Sequence, residues 1–116
     1  MQAHDKRNPV YNKPVVLLMD ERSWSASEWA IMTLRVAPNV VVIGSPSIGA
    51  DGNVVFLPLP GGNTVTFTGL GVFTPDYGQT QRVGLTPDIH VERTVQGVRE
   101  GRDEPMEAAI RHIMGN

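Results

Sequence analysis

The sequence predicts an α/β fold built on a βαβ unit, and three consecutive segments carry that prediction. "PVVLLMD", bounded by Pro14 and Asp20, is a continuous apolar run rich in β-branched residues, the pattern of a strand buried on both faces. From Ser25 to about Val36 the apolar residues Trp29, Ala30, Ile31, Met32, Leu34 and Val36 go almost all the way round a helix, leaving Glu28, Thr33 and Arg35 polar. Such a helix is expected to be buried. Pro38 and Asn39 end it, and "VVVIG" supplies a second buried strand. Strands joined in this way lie parallel, through a right-handed crossover.

The remaining elements follow in order. "GSPSIGADGN" is a glycine-rich loop, and "VVFLPLPGGNTVTFTG" alternates side-chain character around Gly61, Gly62 and Asn63, so it is read as a β-hairpin. Pro58 and Pro60 mark that hairpin as an edge or an irregular arm. "LGVF" is read as a further short strand, the two "TPD" triplets as proline turns, and "DIHVE" as a short strand. At the end, "DEPMEAAIRHIMGN" has Asp103 as cap, Glu104 and Pro105 in the first turn, Arg111 and His112 near the last, and Gly115 as stop. This closing C-terminal helix is expected to lay Met106, Ala109, Ile110 and Ile113 against the sheet. Residues 1–13, "MQAHDKRNPVYNK", have no periodicity and read as a lead-in, which leaves 14–116 as one folding unit.

Bulk properties narrow the function. A chain of 116 residues with 41% hydrophobic content can build one core and no more. Ten Lys plus Arg against twelve Asp plus Glu, with no basic cluster, argue against a nucleic-acid partner. The apolar runs "VVLLM" and "VVVI" are too short for membrane insertion, and no secretory signal opens the chain. Zero cysteines exclude disulfides, thiolate metal sites and a cysteine nucleophile, without fixing the compartment.

In an open parallel sheet, ligands collect beyond the carboxyl ends of the strands, and "DERSWSAS" stands there after the first strand. Ser25 would sit at the amino end of the helix, where unpaired N–H groups and the positive end of the dipole favour developing negative charge. A serine attacking a carbonyl needs that environment, with the Ala26 N–H able to donate to the oxyanion. Ser25-x-x-Glu28 is equally a capping box, common in proteins with no activity. On local chemistry alone, cap and nucleophile both stand.

Four segments together resemble a family: "PVVLLMDERSWSASEWAI", "VVVIGSPSIGADG", "GLTPDIHVE" and "DEPMEAAI". Their order is similar to the catalytic domain of the C-terminal processing (tail-specific) and tricorn-core serine peptidases, over about residues 12 to 114. The resemblance implies a ClpP/crotonase-like α/β superhelix, of which this chain would be the carboxy-terminal part of the peptidase catalytic domain. It puts the nucleophile on Ser25 and one oxyanion donor on the backbone N–H of Ala26, with Ser23 and Ser27 in supporting or capping roles. In the better-known branch a lysine base follows the second glycine of G-x-P-T-x-G, and here Ala50 holds that place. The only lysines are Lys6 and Lys13, both in the lead-in, so no Ser/Lys dyad can form. The tricorn-like branch takes a histidine from before the serine strand and a carboxylate from the stretch before G-x-x-P-D. That stretch here offers only the amides of Gln79 and Gln81.

None of the three histidines reads as the base: His90 alternates away from the face that Ile89 and Val91 bury, His112 suits a helix terminus, and His4 lies in the lead-in. Metal catalysis is not expected, because the histidines are scattered and Asp51, Asp76 and Asp88 have ordinary turn contexts. D-G-N lacks the other ligands of a calcium loop, and "SIGADG" lacks a phosphate-binding lysine, so no cofactor is expected.

The expectation is therefore a serine-type peptidase acting on peptide or protein substrates through an acyl-enzyme. The chain would be a fragment lacking its general base, inactive alone, whose partner is the upstream part of the same catalytic domain. The resemblance implies an extracytoplasmic location, in the periplasm or cell envelope, and the hairpin edge is a candidate contact for a homo-oligomer. The alternatives are a non-catalytic peptide-binding or scaffolding module on the same fold, in which Ser25 is only a cap, and a crotonase-like acyl-group enzyme, for which no cofactor-binding sequence is visible.

Overall fold

A computed structural model describes residues 11–115. The elements run β1 (Val15–Met19), α1 (Ala26–Leu34), β2 (Val40–Gly44), β3 (Val54–Pro58), β4 (Thr64–Thr68), β5 (Ile89–His90), α2 (Val95–Arg99) and α3 (Glu104–Met114). The expected lead-in at 1–13 lies mostly outside the described residues, with only Tyr11, Asn12 and Lys13 inside them.

The expected βαβ unit is present. β1 pairs with β2 in parallel, Val15 opposite Val40 through Met19 opposite Gly44, and β2 pairs in parallel with β5, giving the order β1-β2-β5. Val42 and Ile43 are adjacent in β2 and both are wholly buried, so the central strand is covered on both faces. On one face Val42 joins Met19, Ile31, Met32, Val72 and Leu85 in a single apolar cluster, while α3 packs over β1 and β2.

Asp88 locks the G-x-x-P-D segment onto this unit. Its Oδ2 accepts the Val42 N–H at 2.8 Å, its own N–H donates to the Val42 carbonyl at 2.8 Å, and its Oδ1 takes the Arg35 guanidinium of α1 at 2.7 Å. One aspartate thus ties strand, helix and incoming segment together. Only Ile89 and His90 of the expected "DIHVE" strand pair with β2, and "LGVF" contributes a lone bridge, Phe73 to Gln79, in place of a strand.

The hairpin forms where expected, with Val55 opposite Phe67 and Leu57 opposite Val65, and both its strands are exposed along their whole length. Three burial expectations are corrected. β1, expected to be buried on both faces, stands at the edge of its sheet, with only Met19 buried and Leu18 exposed. In α1 only Glu28, Ile31 and Met32 are buried, and Trp29, Leu34 and Val36 are open to solvent. In α3 the sheet-facing pair is Pro105 and Ala109, whereas Met106, Ile110 and Ile113 are exposed. Positions 105 and 109 share one face, four residues apart, and 106, 110 and 113 fall on the adjoining face, so the helix is turned by about one position from the expected orientation. The short α2 was not expected; Thr94 caps it by accepting the Gly97 N–H, and Glu104 of α3 accepts both the N–H and the hydroxyl of Thr94.

No helix among the described residues is long and apolar enough to cross a membrane. Since Ile43 has no exposed surface, Ile43→Ala is expected to lower stability by about 2–5 kcal/mol, read as a lower urea midpoint at unchanged slope.

Candidate active site

The chain leaves β1 at Met19 and reverses through a tight turn held by Asp20. The Asp20 carboxylate accepts the Arg22 N–H at 3.0 Å and its guanidinium at 2.8 and 3.1 Å, while the Ser23 N–H returns to the Asp20 carbonyl at 2.9 Å. This turn delivers Ser25 to the start of α1. Ser25 is half-buried, at φ 51° and ψ −115°. A side chain in the positive-φ region costs about 1–3 kcal/mol and persists only where its surroundings impose it.

The other two helices are internal controls. Thr94 starts α2 at φ −90°, ψ 154°, and its hydroxyl accepts the Gly97 N–H; Asp103 starts α3 at φ −113°, and its carboxylate accepts the Met106 N–H. Ser25 differs from both. The capping box is present in outline, but the serine hydroxyl completes no side-chain cap hydrogen bond, and the Glu28 carboxylate accepts the Ser25 N–H at 3.1 Å. The Ala26 N–H has no acceptor among the described residues. A strained serine with an uncommitted hydroxyl, followed by an uncommitted N–H at a helix start, can attack a carbonyl and receive the charge that results.

Glu28 does more than capping. It has no exposed surface, and besides Ser25 it accepts from the Ser47 hydroxyl at 2.5 Å, the Gly49 N–H at 2.9 Å and the Ala50 N–H at 3.1 Å. One carboxylate thereby fastens the loop after β2 to the Ser25 turn. Ser25 and Ala50 donate to the same oxygen, Oε2, so the place of the expected lysine adjoins the serine. Ala50 is exposed there.

The same loop is gripped from its other side. Ser47 Oγ accepts the Leu85 N–H at 2.7 Å, and Arg82 donates its N–H to the Gly49 carbonyl at 2.7 Å. A Cβ on Gly49 would stand 2.6 Å from the Gly84 nitrogen, and one on Gly84 would stand 2.3 Å from the Ser47 carbonyl oxygen. Only glycine permits that approach, and both residues have positive φ.

Two concave spaces lie nearby. One of about 420 Å³ opens beyond the strand ends, between Met19, Asp20, Ser45, Val91, Arg93 and Pro105. The other, about 640 Å³, is lined by Ala50, Asp51, Thr68, Gln79, Gln81 and Arg82. Ser25 lines neither; the second reaches Ala50, whose N–H shares Glu28 Oε2 with the N–H of Ser25.

Sequence reasoning brought Ser25, Ala26 and Ala50 to one place, and the structure has them together. Gln81 is spent on backbone: its Nε2 donates to the carbonyls of Leu70 and Asp51 at 2.7 and 3.1 Å, and its Oε1 accepts the Val72 N–H at 3.3 Å. Gln79 donates to the Gln81 carbonyl at 2.9 Å. His90 is exposed and bonds to Glu92 at 3.0 Å, His112 is exposed near the end of α3, and His4 lies outside the described residues. No group of three or more His, Asp or Glu among the described residues is arranged to hold a metal.

Sequence reasoning missed Asp51. It reads as a turn residue yet is 2% exposed, and no signal in "GADGN" announces its burial. Burial raises its pKa above the ordinary carboxylate value, against the Gly52 N–H that favours the charged form, and the negative charge of Glu28 adds to the rise.

A strained serine at a strand-to-helix turn of an α/β unit is an arrangement that serine hydrolases use for their nucleophile. The model of peptidase family S41 matches residues 1–91, and the chain belongs to that family. It is 31% identical over 105 residues to a carboxy-terminal-processing protease of Bartonella bacilliformis, covering 89% of this chain and 24% of that protein. The solved structure of a candidate peptidase from Parabacteroides merdae superposes with a TM-score of 0.79 at 31% identity, over 89% of this chain and 32% of that one. The tricorn protease superposes with a TM-score of 0.78 at 17% identity, over 88% of this chain and 10% of that one, a likeness of fold. The chain thus spans about a quarter of the length of its curated relative.

Removing the Glu28 carboxylate leaves three backbone donors and a hydroxyl unpaired, two of them in the buried floor of the loop. Glu28→Ala is expected to destabilise the chain by about 3–5 kcal/mol, read by urea unfolding. It should also expose the 47–52 amides to faster hydrogen exchange than Ile43→Ala does.

Proposed function

We propose that the chain is the nucleophile-bearing, carboxy-terminal part of a serine peptidase catalytic domain, spanning residues 14–116 on a ClpP/crotonase-like superhelix. Ser25 Oγ attacks the carbonyl carbon of a peptide bond while its proton passes to a base, and the Ala26 N–H donates to the oxyanion. The tetrahedral intermediate then expels the amine, which takes up the proton, and water hydrolyses the Ser25 ester. The base comes from outside the described residues, because Ala50 stands beside Ser25 without a titratable group and neither His90 nor His112 bonds to it. Alone the chain is therefore inactive or nearly so. Its substrates are peptides or proteins, its first partner is the rest of the same catalytic domain, and the location that fits the carboxy-terminal-processing relative is the cell envelope.

One observation carries this reading: Ser25 holds a strained, positive-φ backbone and its hydroxyl, though it faces the Glu28 N–H in the capping box, makes no full cap hydrogen bond, while Thr94 and Asp103 cap their helices at negative φ. A serine kept only as a cap has no reason to accept the strain.

The test is fluorophosphonate labelling of the full natural chain that carries this sequence, with Ser25→Ala as control. Wild type is expected to take one label per chain and the variant none, with cleavage of unstructured peptide falling by about 10⁴-fold or more in the variant. Equal labelling of both would remove Ser25 from the chemistry. An unlabelled wild type that binds peptide intact would make the chain a binding module.

A further inference from the structure

Among the described residues, one buried side-chain polar atom has no hydrogen-bond partner, Oδ2 of Asp51. The other carboxyl oxygen accepts the Gly52 N–H at 2.7 Å. Asp51 lies directly after the two residues whose N–H groups hang on Glu28, and its carbonyl takes the side chain of Gln81. It is the floor of the loop that Glu28 couples to Ser25.

An ionised carboxylate in this position would leave one oxygen buried without a donor and would face the negative charge of Glu28 from α1. The cation nearest by cavity lining is Arg82, on the turn after Thr80, and it makes no ion pair with Asp51 among the described residues. Gln79, Gln81 and the 68–71 segment bring no charge. A proton on Asp51 removes the charge, and with it the repulsion from Glu28 and the larger cost of burying an ion, leaving only a neutral group without a partner.

We propose that Asp51 is a positioning residue for Ser25 that fits its buried place best as a neutral acid, and whose ionisation loosens the 47–52 loop from Glu28 and with it the serine turn. The effect on labelling rests on Ser25 being the nucleophile; the effect on stability does not. Because the folded pKa lies above the unfolded one, the stabilisation is complete below the unfolded value and is lost as pH rises through the folded value.

Asp51→Asn keeps the volume and an acceptor for the Gly52 N–H while abolishing the titration. Fluorophosphonate labelling rates and thermal midpoints of wild type and Asp51→Asn, both as full natural chains, are measured across acid to alkaline pH. The ratio of wild-type to variant labelling rate is expected to be near one at the acid end, to fall by about tenfold for each unit by which the folded pKa exceeds the unfolded one, and to level off above the titration. The wild-type midpoint should fall relative to the variant over the same range. A rate ratio independent of pH overturns the positioning role, even if the midpoints diverge, since Asp51 would then be structural only. If wild type takes no label at any pH, the reading of Ser25 fails, and the midpoints decide for Asp51: a gap that widens with pH supports the neutral acid, and parallel curves overturn it. Should Asp51→Asn not fold, Asp51→Ser carries the same comparisons.

Discussion

The site depends on one buried carboxylate accepting four donors. Placing Glu28 out of contact with water costs several kcal/mol unless each lone pair is met, and here Ser25, Ser47, Gly49 and Ala50 meet them. Charge-assisted hydrogen bonds of this kind contribute about 1.5–3 kcal/mol apiece, so the set can offset the burial where any one bond could not. The consequence is geometric. A carboxylate satisfied only when two chain segments present their amides together forces those segments to hold one arrangement, and Ser25 is in one of them. This is what allows a positive-φ serine to persist: its own N–H is already committed to Glu28, and relaxing the backbone would break that bond.

Local periodicity made the βαβ unit legible. Continuous β-branched runs and an apolar helix between them admit few other arrangements, and the strand pairing found is the one they imply. The hairpin was equally readable, because Gly61, Gly62 and Asn63 supply turn geometry that few residues can. What failed was the prediction of which apolar residues find partners. Period shows that a residue prefers burial, not that a second surface is there to bury it, and the open side chains of Trp29, Leu34, Val36, Ile110 and Ile113 mark that gap. On the proposed reading, the rest of the catalytic domain supplies the missing layer.

The candidate site divides along the same line. That Ser25 and Ala26 stand at a helix start was readable because a capping box is a local feature, while their chemical roles came only from the family resemblance. The reach of Glu28 across to Ser47, Gly49 and Ala50 was not, since these partners lie about twenty residues away and offer only two backbone N–H groups and a hydroxyl, which no pattern marks. Asp51 was hidden for a related reason: A-D-G reads as a solvent-facing turn, and only the packing of the 79–84 segment over it makes it a buried acid.

Ala50 and Gln81 argue together about where the base belongs. A serine hydroxyl is a weak nucleophile at its free pKa, so a site that spends strain on orienting one needs a proton acceptor within hydrogen-bond reach. At Ala50 that place is occupied by a methyl group, exposed beside the serine and bordering a cavity of about 640 Å³. At Gln81 the amide is consumed by three backbone groups, so it is a strut between the 70–72 and 51 segments rather than a free acceptor. Neither residue offers a free proton acceptor. On the proposed reading the acceptor arrives on another segment, which is consistent with a methyl group at Ala50 and a fully engaged amide at Gln81.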